Sequence, residues 1–279
     1  MKTGIVLEGG GMRGIYVAGV LDVFMENSLV TDGVIGVSAG AIHGVSYVSG
    51  QIGRSIRYYK KYARDKRFMS LYSLITTGEI VGREFCYEAI PDRLDPFDYE
   101  AFSSSPTDFF ATCTNVETGN AEYVHCKDLH KDMDYVRASA SLPCVSKIVE
   151  AGGLKLLDGG VADSIPVEAF RKMGYRKNII VLTRPRNYQK KPENILASRI
   201  LYKKYPKLVE AIKKRHIHYN ATLEKIRSLE KNGEAIVVAP GEGVQISRLE
   251  KNLDKIQWMY DLGRQDALEK LEEIRNFLQ

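Results

Sequence analysis

No stretch of about 18 uncharged apolar residues occurs anywhere in the 279-residue chain, so no membrane-spanning helix is expected. There is no CxxC pair either, and the four cysteines, Cys86, Cys113, Cys126 and Cys144, have no histidine at ligand spacing. A metal site is therefore not expected, nor is a cofactor. No secretory leader is expected, because Met1, Lys2 and Thr3 pass directly into the apolar segment Gly4 to Leu7 and then into glycines. We expect a cytoplasmic protein whose thiols are free. Low-complexity linkers and internal repeats are absent as well. What is present is an ordinary globular composition, 44% hydrophobic and 27% charged, long enough for one large domain or two small ones.

The net charge of +5 is unevenly spread, since Gln189 to Lys231 holds twelve Lys and Arg against four Glu and leaves the remainder acidic. Along the chain, the apolar pattern predicts strands near Gly4 to Leu7 and Gly33 to Val37, each followed by glycine and a helix, from about Ile15 to Glu26 and from about Ala39. A basic, aromatic stretch from Arg54 to Leu74 precedes an irregular region punctuated by Pro91, Pro96 and Pro106. A hairpin turning at Thr118 to Ala121 would set Cys113 opposite Cys126. Asp132 to Ser141 reads as helix, and a second hairpin breaks at Gly152 and Gly153. The segments "NIIVLTRP" and "EAIVVAP" read as buried strands, Tyr188 to Asn232 as lysine-rich helix, and Leu253 to Leu278 as one long helix.

The glycines of "VLEGGGMRG" fit a dinucleotide loop, but the supporting features fail. The second strand ends in "GVSAG" where an acid for the ribose would be needed, and Asp32 lies at the wrong end of that strand. Arg13 and Gly14 stand where a phosphate loop requires Lys and a hydroxyl. The pattern GxSxG of Gly36, Ser38 and Gly40, between an apolar strand and a helix, instead has the context of a nucleophile elbow. An amide at Ala39 and a second donor from the Gly9, Gly10 and Gly11 loop would then face an oxyanion.

Among the histidines, His216 and His218 lie in a lysine-rich helix, His43 points away along the elbow helix, and His125 and His130 flank an ordinary hairpin. A carboxylate is the better base, and Asp158, followed by Gly159 and Gly160, is the candidate. Asp163 competes, with a helix-capping role near Pro166 as its simpler reading.

Together "GGGMRG" at Gly9 to Gly14, "GVSAG" at Gly36 to Gly40, "RASASLP" at Arg137 to Pro143 and "DGG" at Asp158 to Gly160 resemble the patatin-like phospholipase family. The resemblance spans about Lys2 to Pro185. It implies a three-layer α/β/α sandwich with a mainly parallel sheet, and a serine acyl hydrolase that uses a Ser and Asp dyad. Ser38 would be the nucleophile, Asp158 the general base, and Gly9 to Gly11 with Ala39 the oxyanion hole, with Arg13 orienting the loop. The expected division is a catalytic core at 1–187, a basic helical insertion at 188–232, and a final strand and helix at 233–279. An acyl lipid is the expected substrate and no nucleic acid partner is expected. The basic segments 54–67 and 189–231 are candidates for peripheral contact with an anionic inner-membrane surface. Two other readings stay open: a nucleotide-binding protein using Gly9 to Gly14, and a lipid binder with a vestigial site.

Overall fold

The computed structural model describes residues 1–244 and 246–279. In chain order, β1 (Lys2–Leu7) leads through a tight 3-10 turn at Gly11–Gly14 into α1 (Ile15–Glu26), and β2 (Gly33–Val37) runs into α2 (Ala39–Val48). Next come α3 (Arg54–Tyr62), α4 (Leu71–Thr77), a widened helical stretch at Phe85–Leu94, and α5 (Tyr99–Ser104). They are followed by β3 (Asp108–Asn115), β4 (Ala121–Cys126), α6 (Leu129–Ser139), and the pair β5 (Val149–Ala151) and β6 (Leu154–Asp158). The chain then forms α7 (Val167–Lys172), β7 (Tyr175–Val181), α8 (Leu196–Leu201), α9 (Pro206–Lys231) and β8 (Ala235–Val238). It closes with α10 (Leu253–Glu269) and α11 (Leu271–Leu278).

The strands form one sheet in the order β5-β6-β3-β2-β1-β7-β8, with β4 added to β3. Strands β3, β2, β1, β7 and β8 are parallel, while β4, β5 and β6 bring antiparallel pairing. Alternation along each strand divides the core. Ile5, Leu7, Ile179, Val181, Ile236 and Val238 face the layer of α1, α2, α3 and α10, whereas Val6, Ile180 and Val237 face α7 and α9. The sheet is thus sandwiched by helices on both faces, as expected. The lysine-rich segment supplies the outer layer of one face: Tyr219, Leu223, Ile226 and Leu229 of α9 are buried there, and all four of its Glu residues are in ion pairs with Lys or Arg.

Several expectations need correction. The first hairpin turns two residues early, so Cys113 faces Glu122 and Cys126 faces Phe109. Asn115 sets that turn, since its side-chain oxygen accepts from the amides of Glu117 and Thr118 at 3.0 and 3.2 Å. All four thiols are free. The region of Pro91 is helical: the turn widens so that the Asp95 amide reaches the Ile90 carbonyl five residues back. Tyr188 to Ile195 is not helix, and the last helix breaks at Lys270. In α3, Tyr58, Tyr59 and Tyr62 are buried and Arg54 and Arg57 both pair with Asp95, while Lys60 and Lys61 are exposed.

Helix α1 is buried from Ile15 to Phe24 because α10 covers its outer side. Glycines permit the close crossing, as a Cβ on Gly19 would strike the Tyr260 carbonyl and one on Gly263 the Tyr16 carbonyl. Hydroxyl bonds lock it, Tyr16 to Asp266 at 2.6 Å and Tyr260 to Asp22 at 2.5 Å. Gly19→Ala or Gly263→Ala is therefore expected to destabilise the fold by about 1–3 kcal/mol through overpacking, read as a Tm several degrees lower. An unchanged Tm for both variants would show that the crossing has slack.

Candidate active site

The geometry follows from the two edges of β3. Residues Phe109 to Thr114 pair with β4 on one edge. On the other, β2 arrives parallel and ends with Val37 beside Thr112, while β6 arrives antiparallel and ends with Asp158 beside Cys113. Two strands running in opposite directions therefore meet end to end on one edge. The residue after Val37 is Ser38, so the topology itself brings Ser38 and Asp158 together. A Cβ on Gly160 would stand 3.6 Å from Val37 Cγ1 and 2.9 Å from Asp158 Oδ1.

Ser38 occupies a sharp strand-to-helix turn with φ 55° and ψ −122°, a conformation that costs about 1–3 kcal/mol for a residue with a side chain. Its flanking glycines are required by space: a Cβ on Gly36 would lie 2.6 Å from the Ala41 backbone, and one on Gly40 would lie 2.5 Å from the Leu7 carbonyl. The "RASASLP" segment holds both ends of the pair. Ser139 Oγ accepts the Ser38 amide at 2.9 Å, and the Ser141 carbonyl accepts the Asp158 amide at 2.8 Å. Sequence reasoning singled out this stretch without assigning those two contacts.

The glycine loop lies directly against the serine, for a Cβ on Gly9 would be 2.8 Å from Ser38 Cβ. Gly10 is packed on Thr183 and Gly11, at φ 57°, on the Arg248 backbone. The amides of Gly10, Gly11 and Ala39 find no acceptor among the described residues, and Ala39 sits at the positive end of α2. Gly14 packs on Ala39, fixing the loop to the elbow helix.

Asp158 Oδ1 accepts the Gly160 amide at 2.7 Å. Its Oδ2 is buried with no partner of full hydrogen-bond geometry, although the Ser38 hydroxyl is near enough to favour the carboxylate. Burial is the largest influence and raises this carboxyl above the usual range, with Arg215, Ser38, the Gly160 amide and Arg248 acting in the opposite direction. A Cβ on Gly159 would run into the Thr112 carbonyl, which explains the glycine after the acid.

Both residues open into a cavity of about 320 Å³. One wall is apolar and is built from α2, α3, the widened helix and α6, with Ile42, Val45, Tyr59, Ile90 and Val136 among its residues. The other is polar, with Glu8, Arg13, Tyr219 and a set of cations. Glu8, Thr183 and Tyr219 support the loop from behind: Glu8 accepts the Thr183 amide at 2.6 Å and the Tyr219 hydroxyl at 2.8 Å, and Thr183 Oγ1 donates to the Gly9 carbonyl at 2.9 Å. Nothing in the local pattern around Glu8 announces this role.

The patatin-like phospholipase model matches residues 5–171. The chain belongs to that family. A second model, a domain of unknown function, matches 205–279 and so crosses the boundary expected near residue 232. Among curated proteins, the chain is 27% identical over 190 residues to the uncharacterized protein YjjU of Escherichia coli, covering 66% of this chain and 52% of that protein. It is 30% identical over 185 residues to lysophospholipase NTE1 of Saccharomyces cerevisiae, covering 61% of this chain and 10% of that one. The chain thus spans about half the length of the first relative and a tenth of the second. VipD from Legionella pneumophila aligns over 98% of this chain and 67% of its own, with a TM-score of 0.48 and 12% identity.

In this patatin-like chain the other candidates lie elsewhere. His43 is buried, bonded to Ser55 Oγ at 3.0 Å, and burial drives its pKa down to about 3, so it packs as neutral imidazole. His125 pairs with Asp108 and stacks on Phe110, and His130 stacks on Tyr99. His216 bonds the Lys213 carbonyl on the exposed side of α9. Asp163 does not cap α7: it accepts the Tyr123 hydroxyl at 2.8 Å and turns back on the Ile165 amide. No helix among the described residues is long and apolar enough to cross a membrane.

The raised Asp158 pKa carries a stability signature. The folded state penalises the ionised carboxyl, so the penalty is absent below the unfolded pKa of about 3.9 and grows as pH rises toward the folded value. Asp158→Asn is expected to raise Tm relative to the unaltered protein by an amount that increases from acid to neutral pH. Calorimetry finding an equal or lower Tm throughout would refute a buried, disfavoured carboxylate.

Proposed function

We propose that the chain is a lipid acyl hydrolase of phospholipase A or lysophospholipase type, cleaving a carboxylic ester through an acyl-enzyme on Ser38. The carrying observation is the end-to-end meeting of β2 and β6, which juxtaposes Ser38 with a buried carboxylate whose Oδ2 has no other partner. Asp158 takes the hydroxyl proton as Ser38 Oγ attacks the carbonyl carbon, and returns it to the departing alkoxide. Water then attacks the acyl-enzyme, its proton again passing through Asp158 and on to Ser38 as the ester bond to the enzyme breaks. Oxyanions in both halves are met by the amides of the glycine loop and Ala39. The apolar wall suits an acyl chain, and the similarity to lysophospholipase NTE1 supports a lipid ester. Against a nucleotide at Gly9 to Gly14 stands the Ser38 side chain, which occupies the space over Gly9.

Ser38→Ala and Asp158→Asn are each expected to lower kcat/KM for ester hydrolysis by at least about 10³-fold with the fold retained. A fluorophosphonate should label Ser38 and no other residue, and Gly10→Ala, whose Cβ would press on Thr183 Oγ1, should lose about 10²-fold in kcat. An active Ser38→Ala protein would end the proposal. Lipid binding without labelling would leave a vestigial site, and thermal stabilisation by NAD or ATP would return the loop to nucleotides.

Peripheral membrane contact is part of the same reading, with a more specific surface than the basic segments alone. Leu71 and Ile75 of α4 and Leu196, Ile200 and Leu201 of α8 are exposed, with Lys66, Arg199, Lys203 and Lys204 nearby in sequence. The residues just after both helices bond the loop that supplies Leu142 and Val145 to the cavity: the Ile80 amide donates to the Val145 carbonyl, and Tyr202 Oη accepts the Cys144 amide. Sedimentation with anionic vesicles should exceed that with neutral ones, and Ile75→Asp with Ile200→Asp should reduce it. Equal sedimentation with both vesicle types would remove the membrane contact.

A further inference from the structure

The polar wall of the cavity holds more positive charge than ester cleavage needs. We infer that Arg184, Lys190, Arg215 and Arg248 form a binding site for a phosphate group on the leaving-group side of the substrate, an inference that rests on the acyl hydrolase reading.

The four residues come from separate elements and converge. Arg184 follows β7, Lys190 lies in the coil beyond it, Arg215 is on α9, and Arg248 precedes α10. Two of them touch the reactive backbone. Arg215 Nη2 stands 3.1 Å from where a Gly160 Cβ would be, and the Arg248 carbonyl accepts the Met12 amide at 3.3 Å. Arg13 joins the same wall from the glycine loop. Aromatic rings hold two of the cations in place, Arg184 over Tyr188 at 4.5 Å and Lys190 over Tyr219 at 4.6 Å.

Their charges are only partly offset by protein carboxylates. The carboxylates facing the wall are Glu8, Asp158 and Glu193. Glu8 accepts three hydrogen bonds, from Thr183 and Tyr219, and acts on the cations only through space, and Glu193 takes only Nη1 of Arg215, at 3.1 Å. Among the described residues no carboxylate pairs with Arg13, Arg184, Lys190 or Arg248. The Nε atoms of Arg13 and Arg215 are buried without a partner. Burial, then Arg215, pulls the Lys190 ammonium down to about 8, and burial, then Arg184 and Arg248, pulls Arg13 down to about 10. Cations crowded into a half-buried wall are unfavourable until an anion with several acceptor oxygens enters. A doubly charged phosphate matches forked guanidinium donors arriving from several sides better than a single carboxylate does. The apolar wall is built on α2 and α3, which pack on one face of the sheet, while α9 with Arg215 packs on the other, so acyl chain and phosphate would flank the scissile ester.

Binding is measured on the Ser38→Ala protein, which holds substrate without turnover, using soluble short-chain monoacyl glycerol phosphate, its phosphocholine counterpart and the monoacylglycerol of the same chain. The phosphomonoester is expected to bind at least about tenfold more tightly than the monoacylglycerol, and Arg184→Gln or Lys190→Gln should erase that preference while Lys190→Arg keeps most of it. In the active protein the same variants should raise KM for the phosphate-bearing ester about 10- to 100-fold, at least about tenfold more than they cost a small neutral ester in kcat/KM. Equal binding of the three lipids would overturn the inference. So would variants that slow the neutral ester equally and displace the acid limb of its pH profile, which would make the cations servants of Asp158. Inorganic phosphate that stabilises the protein as strongly as the acyl glycerol phosphate would put a free anion there and remove the leaving-group assignment. Failure of the unaltered protein to cleave any ester would count against the hydrolase, while the Ser38→Ala titration still decides the phosphate site.

Discussion

The structure depends on one edge of β3 being shared by two strands that approach from opposite ends. A parallel strand presents its carboxyl end where an antiparallel strand also ends, and the chain must leave the sheet at both points. Each exit turns sharply, one through a residue at positive φ and the other through two glycines. The glycine loop after β1 fills the neighbouring position and completes a cluster of turns above the sheet. Three exits at one rim provide backbone amides, a strained hydroxyl and a buried acid without any of them belonging to a flexible excursion.

Such an arrangement is unfavourable locally and must be offset elsewhere. A left-handed serine and a desolvated carboxylate each subtract from a small net stability. The compensation lies in the two helical layers, above all in the crossing of α1 and α10, where glycines let backbones touch and buried tyrosines bond carboxylates on the opposing helix. The last part of the chain therefore supports the rim from beneath, while α9 and the coil before α10 line the cavity from the side.

What was legible beforehand followed from local restriction. Positive φ and close backbone approach limit which residues can stand at 9–11, 36–40 and 158–160, so those positions carry their geometry in their letters. The βα alternation of the first fifty residues was legible for the same reason, since periodicity is a short-range property. The two contacts made by Ser139 and Ser141, the support of Gly9 by Glu8 through Thr183, and the convergence of Arg184, Lys190, Arg215 and Arg248 were not. Each joins residues far apart in the chain, and no local pattern distinguishes a serine that holds an amide from one that faces water. The displaced hairpin is the counterexample of shorter range: Asn115 can fold its own side chain over the turn, and that local bond outweighed the register in which the two cysteines would have met.

The serines of "RASASLP" have a consequence for motion. One short segment receives the amide of Ser38 through a side chain and the amide of Asp158 through a carbonyl, two residues apart. Any displacement of this segment then carries Ser38 and Asp158 in the same direction, as two pegs on one bar. Their mutual distance is buffered against breathing of the cavity wall even when their positions relative to the sheet are not. A site built this way can widen at its α6 wall while Ser139, the last residue of that helix, and Ser141, just beyond it, keep the spacing.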